Sequence, residues 1–252
     1  MATIAVFFGG RSEEHEVSCV SAVAVVEALR HKGHDVLAVG IAKNGSWYLV
    51  DPDSRPLAAR GDEVVFEMPL GVLRSGDDRY HFDVAFPVLH GPYGEDSTVQ
   101  GMFEMAGVPY VGSGVVGSAV AMDKDIAKRL FRDAGLAISP FITVRAGEFA
   151  EDPAGIAAAV RDRLGYPVFV KPAELGSSVG ISRADDDGSF KDAVHEALRH
   201  GDKVVVEREV AGREIEVAVL EGPRASVPGE IVVAGWYTYD AKYQDDATTL
   251  LV

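Results

Sequence analysis

The chain has little with which to brace itself covalently. Among its 252 residues there is one cysteine, Cys19, so neither an intrachain disulfide nor a cage of cysteines around a metal can form. That usage fits a reducing compartment, and a cytoplasmic location is expected. Cations are scarce: 24 Lys and Arg stand against 39 Asp and Glu, a net charge of −15. A chain of that sign lacks the basic face that a nucleic-acid backbone demands, so no nucleic-acid partner is expected. A small anionic ligand needs only a local cluster of cations. No apolar run approaches the ~20 residues of a membrane span. Ile4-Ala5-Val6-Phe7-Phe8 follows the N-terminus with no basic stretch before it, so neither membrane anchor nor signal peptide is expected. Apolar residues are ample at 47%, enough for one large domain or about two.

The first half alternates strand-like and helix-like segments. Ile4–Phe8 reads as a strand buried on both faces, ended by Gly9-Gly10. Ser12 is placed to cap a helix running to about Lys32, with Gly33 as its stop. Val36–Ile41 and Val84–Val88 are further strands. Residues 51–80 look irregular, and a helix from Asp96 or Ser97 to Ala106 closes the alternation. This pattern predicts a parallel α/β layer over residues 1–112. Beyond it come a helix over Ser118–Ala134, an extended Pro140–Val144, a helix from Pro153 to Leu164 and another from Ser189 to His200. Val204–Val210 and Ile215–Leu220 are expected to pair across Ala211-Gly212-Arg213. The second half is therefore α+β, expected to divide into 113–207 and 208–252.

One stretch carries an evident chemistry. Val168–Lys171 is apolar and ends in a cation. Gly176-Ser177-Ser178-Val179-Gly180 follows, and Ile181-Ser182 resumes an extended pattern. Strand, Gly/Ser loop and strand can fold a lid over a polyphosphate: backbone N–H groups and hydroxyls converge on the anion, with Lys171 as a point charge beside them. No Gly-Lys-Ser/Thr opens a helix here, so it is not a Walker loop. An ordinary glycine hairpin with a surface lysine is the plainer alternative. Glu207, Val210 and Glu214 add a strand segment able to hydrogen-bond an adenine and carboxylates able to hold ribose hydroxyls. Gly112-Ser113-Gly114-Val115-Val116-Gly117 matches G-x-G-x-x-G, but it does not stand at the first strand–helix turn. It is read as a hinge rather than a dinucleotide site.

In order along the chain, Gly9-Gly10-Arg11-Ser12-Glu13-Glu14-His15-Glu16-Val17-Ser18, Leu89-His90-Gly91-Pro92-Tyr93-Gly94-Glu95-Asp96, Met122-Asp123-Lys124, Val170-Lys171-Pro172 with its Gly/Ser loop, and Tyr239-Asp240-Ala241-Lys242-Tyr243 resemble the D-alanine–D-alanine ligase family of the ATP-grasp superfamily. The resemblance implies an α/β fold: an N-terminal α/β substrate domain followed by an ATP-grasp fold. It implies ligation of two D-alanines through an acyl phosphate, at the expense of ATP, for peptidoglycan precursors. Lys124, Lys171, Ser177, Ser178 and Lys242 would then attend the ATP phosphates, and Glu207, Val210 and Glu214 the adenosine. Glu14 would hold the ammonium of the first D-alanine, with Val17 and His90 lining its site. Glu14, Ser177 and Tyr243 would form a hydrogen-bonded triad, and the tyrosine favours an amine as second nucleophile. ATP, two Mg²⁺ ions and a homodimer complete the implied picture.

The chain departs from that family in two respects. The late Asn-Glu-x-Asn signature that helps hold Mg²⁺ is missing, since Asn44 is the only asparagine, and a substrate-polarising arginine has no match. The last residues are an apolar run. The 252 residues are therefore expected to be part of a longer ligase, and to bind ATP weakly without ligating by themselves, whereas the complete protein ligates. The alternatives are an ATP-grasp ligase for another amino acid and a nucleotide-binding module without catalysis.

Overall fold

The computed structural model describes residues 1–232 and 249–251, which form two compact units, Met1–Ala127 and Lys128–Val252. In the first unit the strand β1 (Thr3–Gly9) is followed by helix α1 (His15–His31) and β2 (Asp35–Ile41). Then come β3 (Trp47–Val50), β4 (Asp62–Glu67), β5 (Val72–Ser75), β6 (Asp78–Tyr80), β7 (Val84–Pro87) and helix α2 (Thr98–Ala106). The sheet order is β6-β5-β4-β3-β2-β1-β7. Only β2, β1 and β7 are parallel; β3 to β6 extend them as an antiparallel meander.

Residues 51–80 are thus more ordered than their composition suggests. Their strands are short, and charged residues alternate with the inward Val64 and Leu73, so little apolar signal reaches the sequence. β1 explains why the sheet is covered on both faces. Side chains alternate along a strand, so Ala5 and Phe7 point to the α2 side, where Phe7 packs against Phe103 and Trp47 at 5.2 and 5.4 Å between centroids. Val6 and Phe8 point to the α1 side, with Ala22 and Val26. Ser12 does not cap α1: the helix begins one residue after Glu14, which has no capping hydrogen bond.

Residues 118–134 are two helices, not one. α3 (Val115–Met122) and α4 (Lys124–Asp133) are broken at Asp123, whose extended ψ of 103° ends one helix. Its Oδ1 accepts hydrogen bonds from the N–H groups of Asp125 and Ile126, a side-chain cap that restarts the next helix.

The second unit contains β8 (Phe141–Arg145), α5 (Ala146–Glu151), α6 (Pro153–Arg163), β9 (Val168–Pro172), β10 (Ser182–Ala184), α7 (Asp187–Ala197) and β11 (Lys203–Arg208). Asp152 and Asp186 cap α6 and α7, accepting hydrogen bonds from the N–H groups of Gly155 and Ser189, each at 2.8 Å. The four strands form an antiparallel sheet of order β10-β9-β11-β8. Val168, Val170, Val204 and Val206 share one face and pack under α5, α6 and α7 against Phe149, Val160 and Phe190.

The short strands β12 (Glu214–Glu216), β13 (Val219–Leu220), β14 (Arg224–Ala225), β15 (Gly229–Val232) and β16 (Thr249–Leu251) complete the description. β12 pairs with β15 and not with β11, so the expected pairing across Ala211–Arg213 is corrected. β11 already has β8 and β9 on its two edges. Among the described residues no helix is long and apolar enough to cross a membrane.

Candidate active site

Two groups of candidate residues are assembled, one in each unit. In the first, Gly9 and Gly10 end β1 with φ of 85° and 96°, which frees the chain to turn into α1. Glu14 lies at that turn and is only 6% exposed. The loop after β7 is stitched to it. Ser12 Oγ donates to the His90 carbonyl at 2.7 Å and accepts from the Glu14 N–H at 3.2 Å. Ser18 Oγ accepts from the Gly9 N–H at 2.8 Å and donates to the Val88 carbonyl, joining the ends of β1 and β7. His90 Nε2 lies 3.2 Å from Ser21 Oγ, and the Gly91 N–H donates to Glu95 at 2.8 Å.

Gly91 is required here: with φ of 70°, a Cβ on it would lie 2.6 Å from Glu14 Oε2. The structure therefore brings Glu14 and the His90 loop together. Val17 is half-buried on the first turn of α1. A cavity of about 510 Å³ lies beside His90, lined also by Glu95, Gln100, Ser113 and Met122. Gln100 Nε2 donates to the Gly94 carbonyl, while its buried Oε1 has no partner. Lys124 opens α4 at the end of this unit.

In the second unit the sheet face opposite the helices is polar and aromatic. Register places Lys171 opposite Val205, and Glu207 opposite both Phe169 and Phe141. Directly opposed residues share a face. Lys171 reaches diagonally to Glu207, Nζ to Oε2 at 2.8 Å, and the other carboxylate oxygen lies 3.1 Å from Lys128 Nζ on α4. Lys128 also sits 5.1 Å from the centre of the Phe141 ring. These are not surface pairs: the side chains of Lys128, Glu207 and Lys171 are 13, 14 and 24% exposed. Burial by itself would raise the Glu207 carboxyl, but the ammonium groups of Lys171 and then Lys128 hold it below the ordinary carboxylate range. Lys171 and Glu207 are legible in the sequence, but their contact is not, and neither is Lys128. The available signal was its spacing, one helical turn after Lys124.

The loop leaving β9 carries Ser177 and Ser178, both left-handed with φ of 47° and 60°. Consecutive non-glycine residues in that region store strain, on the order of 1–2 kcal/mol each. Gly180 also has positive φ, and a Cβ there would lie 2.6 Å from His200 Cδ2 and 2.8 Å from Pro172 Cγ. Val210 is exposed beyond the end of β11, and Glu214 is exposed on β12 opposite Ile231. These two sit outside the Lys–Glu–Lys cluster, on segments other than β11. Lys242 and Tyr243 lie outside the described residues. Gly112–Gly117 follows an isolated bridge at Tyr110 rather than a full strand, and Gly114 is the residue before α3.

Metal ligands are a separate matter. Among the described residues the only grouping of His, Cys and acidic side chains suited to one ion is His15, Glu16 and Cys19, with ligand atoms within 4.8 Å of one another. Burial, then the Glu16 charge, push the Cys19 thiol up to about 11. A thiol is a soft sulfur donor and an imidazole a nitrogen donor, whereas Mg²⁺ takes oxygen ligands. These residues do not fit Mg²⁺.

A helix-backed antiparallel sheet with cations on its open face and a Gly/Ser loop at one strand end is the arrangement expected of an ATP-grasp fold, and the solved ligases that the chain superimposes on share it. The family models described as "D-ala D-ala ligase N-terminus" and "D-ala D-ala ligase C-terminus" match residues 3–113 and 130–252. The D-alanine–D-alanine ligase of Pseudarthrobacter chlorophenolicus is 44% identical over 98% of this chain and 72% of its own length. The D-alanyl-alanine synthetase A of Vibrio cholerae superimposes with a TM-score of 0.85 at 28% identity, over 99% of this chain and 73% of that one. The VanG D-Ala:D-Ser ligase of Enterococcus faecalis does so with 0.83 at 33% identity, over 99% and 75%. The chain belongs to the D-alanine–D-alanine ligase family.

Proposed function

We propose that the protein joins two D-alanines into D-alanyl-D-alanine at the expense of ATP, for peptidoglycan precursor synthesis. The observation that supports this reading most is the Lys128–Glu207–Lys171 cluster on the open sheet face, with the strained Ser177-Ser178 loop leaving the same strand. Two ammonium groups and one carboxylate leave a net positive charge in a partly dry site, where charges act more strongly than in water. A polyphosphate completes such a site. In this reading Lys171, Ser177 and Ser178 hold the phosphates, with Lys124 and Lys242 as further phosphate contacts. Glu207, Val210 and Glu214 hold the adenosine.

Glu14, shielded beneath Gly91, receives the ammonium of the first D-alanine, and His90 and Val17 line its seat. The carboxylate of that D-alanine attacks the γ-phosphorus, and ADP leaves. The amine of the second D-alanine then attacks the acyl carbon, and inorganic phosphate leaves with the carboxyl oxygen. The lysines offset charge on the transferring group. Glu14, Ser177 and Tyr243 are assigned as the triad that orients substrate. Mg²⁺ belongs to the same reading, although the described residues do not supply its ligands. So do a homodimer, a cytoplasmic location and the division into 1–112, 113–207 and 208–252.

Turnover is measured on the full-length protein as phosphate release from ATP, with the product identified by mass. D-alanine is expected to support release and L-alanine is not. Equal release with both, or a product other than the dipeptide, overturns the reading. The likeness to a D-Ala:D-Ser ligase favours one second reading, a different amino acid in the second position. A D-serine arm in the same assay decides between them.

A further inference from the structure

The geometry points to Lys128 as a positioning residue for nucleotide binding, acting through Glu207 and not by touching the phosphates. This deepens the reading above and rests on it. Lys171 is asked to meet a phosphate, yet its ammonium is committed to Glu207 Oε2 at 2.8 Å. Glu207 is largely buried, between Phe169 and Phe141 in register. A carboxylate so placed is strongly penalised when its one cationic partner leaves. With Lys171 as sole partner, every approach of Lys171 to a phosphate would strip Glu207 of compensation.

Lys128 removes that conflict. It binds the other carboxylate oxygen, Oε1, at 3.1 Å. It approaches from α4 and not from the sheet, so it does not depend on the position of Lys171. Phe141 holds it there: the ammonium faces the ring at 5.1 Å, an attraction that strengthens when water is excluded. Lys128 thus keeps Glu207 ionised and stationary while Lys171 turns its remaining N–H groups outward. The charge count agrees. One cation neutralises Glu207, and the second is surplus and available to an anion.

The test is ATP affinity by titration calorimetry on five variants, each with its thermal melt. Lys128→Met keeps the apolar stem and removes the charge. It is expected to weaken ATP binding by about ten- to a hundredfold, less than the loss from a fully unpaired buried charge because Lys171 still faces Glu207, and to leave D-alanine binding unchanged. Lys128→Arg is expected to restore most of the affinity. In a Glu207→Gln background, where no carboxylate needs holding, Lys128→Met is expected to cost little beyond the single change, a non-additivity that independent sites do not show.

Unchanged ATP affinity in Lys128→Met overturns the inference. So does a full additional penalty in the Glu207→Gln background, which would place Lys128 on the nucleotide itself. Should the Met variant fail to fold, Lys128→Gln, which retains a donor, is read by the same criteria. Lys171→Met separates this inference from the reading beneath it. If that change also leaves ATP binding intact, the nucleotide site is wrong. If it abolishes binding while Lys128→Met does not, the site stands and the positioning role falls.

Discussion

The two units hold their candidate residues by different physics. In the first, Glu14 and the His90 loop are fixed by hydrogen bonds between the Ser12 and Ser18 hydroxyls and backbone groups, by the Glu95 carboxylate on the Gly91 N–H, and by a glycine that leaves no spare room. Such a network has one good arrangement, because each serine donates and accepts at set points. In the second, the cluster is made of point charges on long side chains, one carboxylate shared by two ammonium groups, beside a loop held in unfavourable backbone. Charges with more than one partner can be redistributed at modest cost. The difference suits the two tasks proposed for them. A small amino acid is selected by a rigid seat, whereas a polyphosphate that loses a group during reaction needs cations that can follow it.

The largest effect that would break this comparison is at Gly91. A methyl group there meets both the positive φ and the Glu14 carboxylate at 2.6 Å. Gly91→Ala is expected to cost about 2–4 kcal/mol, the sum of left-handed strain and displacement of a buried group, and to abolish D-alanine-dependent turnover while ATP still binds. A denaturant melt and the same phosphate assay read both. An active, fully stable variant would show that the seat is not rigid.

Next comes Lys171. Lys171→Met leaves Glu207 with Lys128 alone, and ATP affinity is expected to fall by about a hundredfold, more than from any single change in the first unit. Global stability should fall less than in Gly91→Ala, because Lys128 still compensates the carboxylate. If stability falls by as much as in Gly91→Ala, the cluster is structural cement and the contrast between the units disappears.

The sequence was most legible where a residue type has few uses. Gly9-Gly10 after an apolar run, Pro153 at a helix start and the Gly/Ser loop after Lys171 all stand where their chemistry put them. Even the pairing of two strands across that loop was readable, and β9 pairs with β10. It was least legible where long-range pairing overrides local pattern. Val204–Val210 and Ile215–Leu220 looked like a hairpin, yet β11 is sandwiched between β8 and β9 and β12 pairs elsewhere. The break at Asp123 was hidden because aspartate is a tolerable helix residue as well as a good cap. Of the candidate site, individual residues were visible but their partnerships were not. Nothing local tells that Lys171 and Glu207, on different strands, share a bond, or that Lys128 completes it.

A third test uses acid. The Glu207 carboxyl titrates below its ordinary value of 4.5 in the folded chain. A group of that kind contributes stability that is fully present above its unfolded pKa and is lost as pH falls through the folded one. Stability of the second unit is therefore expected to decline as pH drops below about 4.5, and Glu207→Gln should flatten that decline. Backbone amide signals of the second unit followed against pH would show it. Gly91 lies in the other unit from the Glu207 cluster, so Gly91→Ala should shift the whole curve without changing the acid slope that Glu207 contributes. An unaltered slope in Glu207→Gln would mean that the ion pairs contribute nothing net.

The smallest expected effect is also the most specific to the comparison. Ser178 has φ of 60° beside Ser177 at 47°, a conformation glycine adopts without steric cost. Ser178→Gly removes that strain but gives back some entropy to the unfolded chain, so a net change of only about 0–1 kcal/mol in either direction is expected. The nucleotide should respond more than the fold does. If the strained backbone exists to aim donors at a phosphate, loosening it lowers ATP affinity severalfold while the melting temperature barely moves. If the strain is merely an accident of packing, affinity stays put and stability rises. The two outcomes point in opposite directions on two separate measurements, so this single substitution asks whether the loop in the second unit is held for chemistry, as the glycine in the first is held for shape.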